Sequence, residues 1–236
     1  RSATLMSELR NRVPIEFCFN EPGKLVLLGG QKAWNDAEEM CELKRKHDCD
    51  VSLVTFQKAM EIEPALQKMT GSYVGAVYSQ NDEVGDSQMF TKGLGEWLTE
   101  NENVEFRLNT RVQKIVTENG KLIGAETDQG LLRADAMVVC LGSWSNNLLS
   151  PLGIETKIYP MRGYSMTLPA DKDSNSVSIT EPNAKIVFSR LGDQVRIAGF
   201  ADFVGFDTTK DRERAKTLLS TASRVAPEID TYAVGS

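Results

Sequence analysis

A mixed α/β fold with two interleaved sheets is the class this 236-residue sequence predicts. Three observations carry that reading. Alternating apolar segments after Pro151 have the period of an antiparallel sheet, two short turn pairs join strand-like runs, and segments with helical spacing separate them. With 41% hydrophobic and 25% charged residues the chain has the composition of a globular protein with a real core. Its length allows one large domain or two small ones.

The first segment reads strand, helix, connector, helix. Apolar Gly23–Leu28 passes through Gly29–Gly30 into a helix in which Ala33, Trp34, Ala37, Met40 and Cys41 mark the buried face. Acidic Asp36, Glu38 and Glu39 precede basic Lys44, Arg45 and Lys46, the order that suits the helix dipole. Thr55 can cap a second helix over Phe56–Ile62, which must stop near Glu63 because Pro64 disfavours helical geometry before it. Asp86 can cap a third helix to about Glu100, with Phe90, Leu94, Trp97 and Leu98 as its buried stripe. Gly93 and Gly95 cost that helix about 1 kcal/mol each, so close backbone packing or approach of a ligand is expected there.

Short strands follow. Val104–Asn109 is predicted as one, and Arg111–Glu118 and Lys121–Asp128 as a hairpin turned at Asn119–Gly120. The run Ala136–Leu141 lacks alternation and ends at Gly142, as a parallel strand covered on both faces does. The last strands are Tyr164–Leu168, Ala184–Arg190 and Gln194–Phe200, the final two turned at Gly192–Asp193. A surface helix then runs to Pro227.

A net charge of −6 argues against general affinity for nucleic acid or anionic membrane. Cys18, Cys41, Cys49 and Cys140 have no CxxC spacing and fit a reducing compartment. His47, the only histidine, sits behind three basic residues at a helix end, which reads as a solvated position favoured by the dipole. The carboxylates form no metal-binding or acid–base motif. Gly29–Gly30 has the strand–glycine–helix order of a phosphate loop but lacks the third glycine of G-x-G-x-x-G, and is read as a turn into a helix. No segment has the length and apolarity to cross a bilayer, and both ends read as cut from a longer chain.

Four segments go further. DEVGDSQMFTKGL, ADAMVVCLGSWSNNLLSPLGI, YPMRGYSMTLP and SRLGDQVRIAGFADFVGFD, in this order, resemble the bacterial D-amino acid dehydrogenases within the D-amino acid oxidase-like flavoproteins. The likeness runs from about Pro22 to Asp207. It implies a substrate-side domain with an antiparallel or mixed sheet, contributed by residues 1–81 and 151–236. Residues 82–150 would supply a partial FAD-binding domain without its first strand and G-x-G-x-x-G loop.

The resemblance implies FAD as cofactor, with the backbone of Val112 at the adenine and Gly142 and Ser143 along the cofactor. Without the glycine loop, this chain is expected not to retain FAD and to be inactive alone. The implied reaction of the whole enzyme is oxidation of a D-amino acid to a 2-oxo acid and ammonia. Electrons would pass to a quinone or other respiratory acceptor, at the inner face of the cytoplasmic membrane. Arg162, Gly163 and Tyr164, and after them Arg190, are the substrate-binding candidates. Arg162 is expected on the sheet face toward the flavin, where its guanidinium fork would pair with a carboxylate. Two alternatives stay open: a related oxidase of glycine, sarcosine or a hydroxy acid, and a binding module without catalysis.

Overall fold

The computed structural model describes residues 2–229. They form two compact units, one of residues 2–97, 162–202 and 208–229, the other of 98–161 and 203–207. In chain order the elements are α1 (Ser2–Arg12), β1 (Lys24–Leu28), α2 (Gln31–Arg45), β2 (Ser52–Thr55), α3 (Phe56–Ile62), β3 (Gly75–Ser79) and α4 (Ser87–Asn101). The hairpin strands β4 (Val112–Glu118) and β5 (Lys121–Thr127), β6 (Gly130–Arg133) and the short α5 (Ser145–Leu149) follow. The chain then adds β7 (Arg162–Pro169), β8 (Ser178–Glu181), β9 (Ile186–Leu191), β10 (Gln194–Asp202) and α6 (Arg212–Val225).

The larger unit is organised by a seven-stranded sheet in the order β2-β3-β1-β8-β9-β10-β7. It is mixed: β1 runs antiparallel to β3 and parallel to β8, while β8, β9, β10 and β7 are antiparallel in turn. One face carries Leu25, Leu27, Ile179, Ile186, Phe188 and Ile197. It packs against Ala59 of α3, Leu66 of the 3-10 turn after it, and Leu218 and Ala222 of α6. Full burial of each such large side chain stabilises by about 1.5–3 kcal/mol. Glu63 pins this layer from within. Only 2% exposed, it accepts from the Ala65 amide at 3.0 Å with one oxygen and from the Ser176 and Val177 amides, both at 2.7 Å, with the other. A carboxylate removed from water is tolerated here because donors surround it.

The local signals worked where they specified backbone geometry. Thr55 caps α3, its hydroxyl accepting from the Lys58 amide at 3.3 Å, and Asp86 caps α4, accepting from the Gln88 and Met89 amides at 2.9 Å each. Asn119 (φ 51°) and Gly120 (φ 74°) turn β4 into β5 as a two-residue hairpin requires. A Cβ on Gly93 would meet Ile15 Cγ2 at 2.4 Å, so that glycine permits the expected close approach.

Three expectations are corrected. Ala136–Leu141 is not a strand: no other described strand lies beside it, and Val138 is 85% exposed. An apolar run becomes a strand only where a neighbour takes its backbone hydrogen bonds. Val104–Asn109 is likewise irregular, with Leu108 at 75% exposure. On α2 only Cys41 is buried and Met40 is half exposed. The expected stripe on α4 is present, with Phe90, Leu94, Trp97 and Leu98 all partly buried and none fully enclosed. The polar α1, which buries no residue, carried no signal in the sequence.

The smaller unit holds the three-stranded antiparallel sheet β4-β5-β6 and α5. Its interior is thin, and Ala125 is its one buried apolar side chain among the described residues.

Candidate functional site

Two places in the chain have the make-up of a site, one in each unit. In the larger unit, α6 and the core cover one face of β8, β9, β10 and β7, and strand alternation sends the intervening residues to the other. Ser165 and Thr167 of β7, Arg196 of β10, Ser189 of β9 and Ser178 and Thr180 of β8 therefore share a polar face. Arg196 stands opposite Thr167 on one side and Ser189 on the other. Its Nε donates to Thr167 Oγ1 at 3.4 Å, and an Nη lies 3.7 Å from Asp86 Oδ2. The Ser178 and Ser189 hydroxyl oxygens are 3.3 Å apart, and Thr180 Oγ1 is buried without a hydrogen-bond partner.

Of the substrate residues expected from the sequence, only Gly163 shares this face. Arg162, Tyr164, Met166 and Leu168 alternate to the covered side, where Tyr164, Met166 and Leu168 pack against the core. Arg162 begins β7 opposite Asp202, one residue out of phase with the polar face. Asp202 is bound through both oxygens by Arg214 of α6, whose guanidinium stacks 4.7 Å from the Phe200 ring and 5.8 Å from that of Tyr164. Those hydrogen bonds, with lesser help from Tyr164 and from the charge of Arg162, hold the Asp202 carboxyl below the usual carboxylate range. Arg190 is also committed elsewhere, donating to the backbone carbonyls of Gly192 at 3.1 Å and Asp171 at 3.3 Å. Behind the covered face lies an apolar cavity of about 70 Å³, too small for an amino acid.

In the smaller unit, a groove of about 420 Å³ is lined by Arg111, Val112, Gln113, Leu141, Trp144 and Asn147. This volume falls in the range of small-molecule sites. The arrangement brings together two stretches separated in sequence, the start of β4 and the turn after Ala136–Leu141. Gly142 (φ 53°) opens that turn, with free space where a Cβ would stand, and begins the short 3-10 stretch Gly142–Trp144 that includes Ser143. Trp144 rests on Phe206 at 4.3 Å between ring centroids and is still half exposed. Of the residues singled out in the sequence Val112 lines this groove and Gly142 and Ser143 sit in the turn between its lining residues Leu141 and Trp144; Arg111 and Trp144 were not singled out, although the indole two residues after Gly142 was a readable signal.

Comparison with known proteins gives a consistent result. Residues 1–235 match the family described as FAD dependent oxidoreductase. A D-amino acid dehydrogenase of Vibrio cholerae serotype O1 (strain M66-2) is 32% identical over 236 residues, covering 99% of this chain and 56% of that protein. One from Dechloromonas aromatica is 33% identical, with 95% and 55% covered. Among solved structures, glycine oxidase from Geobacillus kaustophilus superposes with a TM-score of 0.84 at 20% identity, over 98% of this chain and 61% of that one. L-proline dehydrogenase from P. horikoshii gives 0.82 at 18%, over 98% and 62%. At such identities the structural likeness speaks for the fold. The chain spans just over half the length of the curated relatives it matches.

Proposed function

The chain belongs to the FAD dependent oxidoreductase family, and from that premise we propose that it is the substrate-side part of a flavoenzyme that oxidises D-amino acids. The carrying observation is the likeness to D-amino acid dehydrogenases, sustained over 99% of the chain. The overall change takes two electrons and the Cα hydrogen from the amino acid, and water then releases the imino acid as a 2-oxo acid and ammonia. FAD, when bound, supplies the acceptor for that hydride and passes the electrons on. A respiratory acceptor such as a quinone belongs to this reading, as does peripheral contact with the cytoplasmic membrane face. No described helix is long and apolar enough to cross a membrane.

The residues present fit the adenylate end of FAD. The groove offers the backbone edge of Val112, the face of Trp144 and the polar ends of Gln113 and Asn147, and the turn at Gly142 and Ser143 joins two of its lining residues, Leu141 and Trp144. In this reading those groups seat the nucleotide. The polar face of the larger sheet orients the amino acid, with Gly163 leaving room above its strand. Arg162, Tyr164 and Arg190 support that face from the covered side. Binding and orientation are the protein's share of the work.

The test is anaerobic mixing of the full-length flavoprotein carrying this chain with D-alanine, L-alanine, glycine and sarcosine, following flavin bleaching near 450 nm. Bleaching by the D-amino acid at least tenfold faster than by the other three is expected. Preference for glycine or sarcosine would replace this reading with that of an amine oxidase.

A further inference from the structure

Strand alternation sends successive residues to opposite faces of a sheet, yet Arg111, Val112 and Gln113 all line the groove of the smaller unit. A bulge accounts for this. Val112 pairs with Thr127 and Lys114 with Glu126, so Gln113 is an extra residue in the register, and such a bulge bends its strand and re-aims the side chains beside it. Arg111 is fixed just ahead of the bulge by its backbone: its amide donates to Asp128 Oδ1 at 2.9 Å and its carbonyl accepts from the Asp128 amide at 3.1 Å. Its guanidinium makes no hydrogen bond or ion pair among the described residues. Neighbouring cations are committed, Lys114 to Glu126 at 2.7 Å and Arg107 to Glu105 at 3.0 Å. The lining of the groove holds no acidic side chain to pair with Arg111. Trp144, Leu141 and Leu148 give it apolar walls, and the indole, backed by Phe206 at 4.3 Å, is left half exposed.

We propose that Arg111 is a nucleotide-binding residue that lays the plane of its guanidinium on the adenine base of FAD, with the Trp144 indole as the second planar wall of the seat. The proposal rests on the nucleotide seat described above. A guanidinium is planar, delocalised and weakly hydrated, so it leaves water at little cost and stacks on aromatic rings, whereas a lysine ammonium offers charge without the plane. A purine presents its π-face whatever contacts its edge makes. In the reading above Val112 meets the base through its backbone edge, and the side chain one residue away reaches the base from its face. Elsewhere this chain builds the same contact from its own residues: Arg10 lies 3.8 Å over the Phe19 ring and Arg214 4.7 Å from that of Phe200. Those two guanidinium groups are also held by carboxylates. Arg111 has no such carboxylate, and its groove supplies apolar walls with open space between them.

The experiment titrates this chain with adenosine and, separately, with ADP, following the quenching of indole fluorescence. Both should bind, and Trp144→Leu should remove the quenching. Arg111→Lys keeps the charge and loses the plane. It should weaken adenosine and ADP alike, by at least threefold, in low and in high salt, with Tm unchanged. Lys114→Gln, next along β4 beyond the bulge, is the control and should alter neither ligand. A loss confined to ADP and erased by added salt would show Arg111 pairing with phosphate and would overturn the stacking proposal. Unchanged affinity for both ligands in Arg111→Lys, or quenching that survives Trp144→Leu, would overturn it as well while leaving the family assignment intact. Failure of the unmodified chain to bind either ligand at millimolar concentration would sink the nucleotide seat itself and this proposal with it.

Discussion

The two units of this chain handle apolar residues in opposite ways. The larger one turns them inward, onto one face of a seven-stranded sheet closed by α3 and α6. The smaller one turns most of them outward. Val138, Leu108, Phe203, Tyr159 and Met161 are all more than half exposed, and its sheet has three strands. Large apolar side chains exposed in such number mark a unit that something else binds or packs against. A core that closes on itself specifies its unit, whereas an outward apolar face reports a partner, which in the reading above is the nucleotide and the remainder of the flavoprotein.

Substitutions sharpen the contrast, and the largest effect is expected at Glu63. Glu63→Ala leaves the Ala65, Ser176 and Val177 amides without their acceptor, and should cost about 3–5 kcal/mol in chemical denaturation. Ile197→Ala, at a site with no exposure, should cost about 2–5 kcal/mol. Val138→Ala in the smaller unit should stay within about 0.5 kcal/mol. A similar loss at Val138 would break the comparison, because it would reveal a buried environment for that side chain.

Two titrations give smaller effects, both confined to the larger unit. The Asp202 carboxyl is held below its ordinary range in the folded protein, so its contribution is fully present above the unfolded value near pH ~3.9 and is lost as pH falls through the depressed one. Asp202→Asn should remove that portion of the acid sensitivity, read as Tm against pH. Burial, with the charge of Glu181, pushes the Tyr73 hydroxyl up to about 12. Its contribution is complete below about pH 10 and is lost as pH rises toward that value. Tyr73→Phe should flatten the alkaline limb, and an unchanged limb would show that Tyr73 does not titrate with unfolding.

Turns, caps and the proline-limited end of α3 were legible because a few adjacent residues determine them. Strand identity at Val104–Asn109 and Ala136–Leu141 was not, since an apolar run needs a neighbour that local sequence does not describe. Strand phase was not legible for a related reason: moving the start of β7 by one residue decides whether Arg162 or Gly163 meets the polar face. Glu63 carried a weaker signal, a carboxylate just before Pro64 where a 3-10 turn begins.

The division of labour between the units is tested most directly by amide hydrogen exchange on this chain with and without millimolar ADP, a soluble stand-in for the adenylate half of FAD. Added protection is predicted at Val112–Gln113 and Leu141–Leu148, with β7 to β10 unchanged. Protection gained instead around Gly29–Gly30, or none anywhere at saturating ADP, would contradict the placement of the nucleotide in the smaller unit.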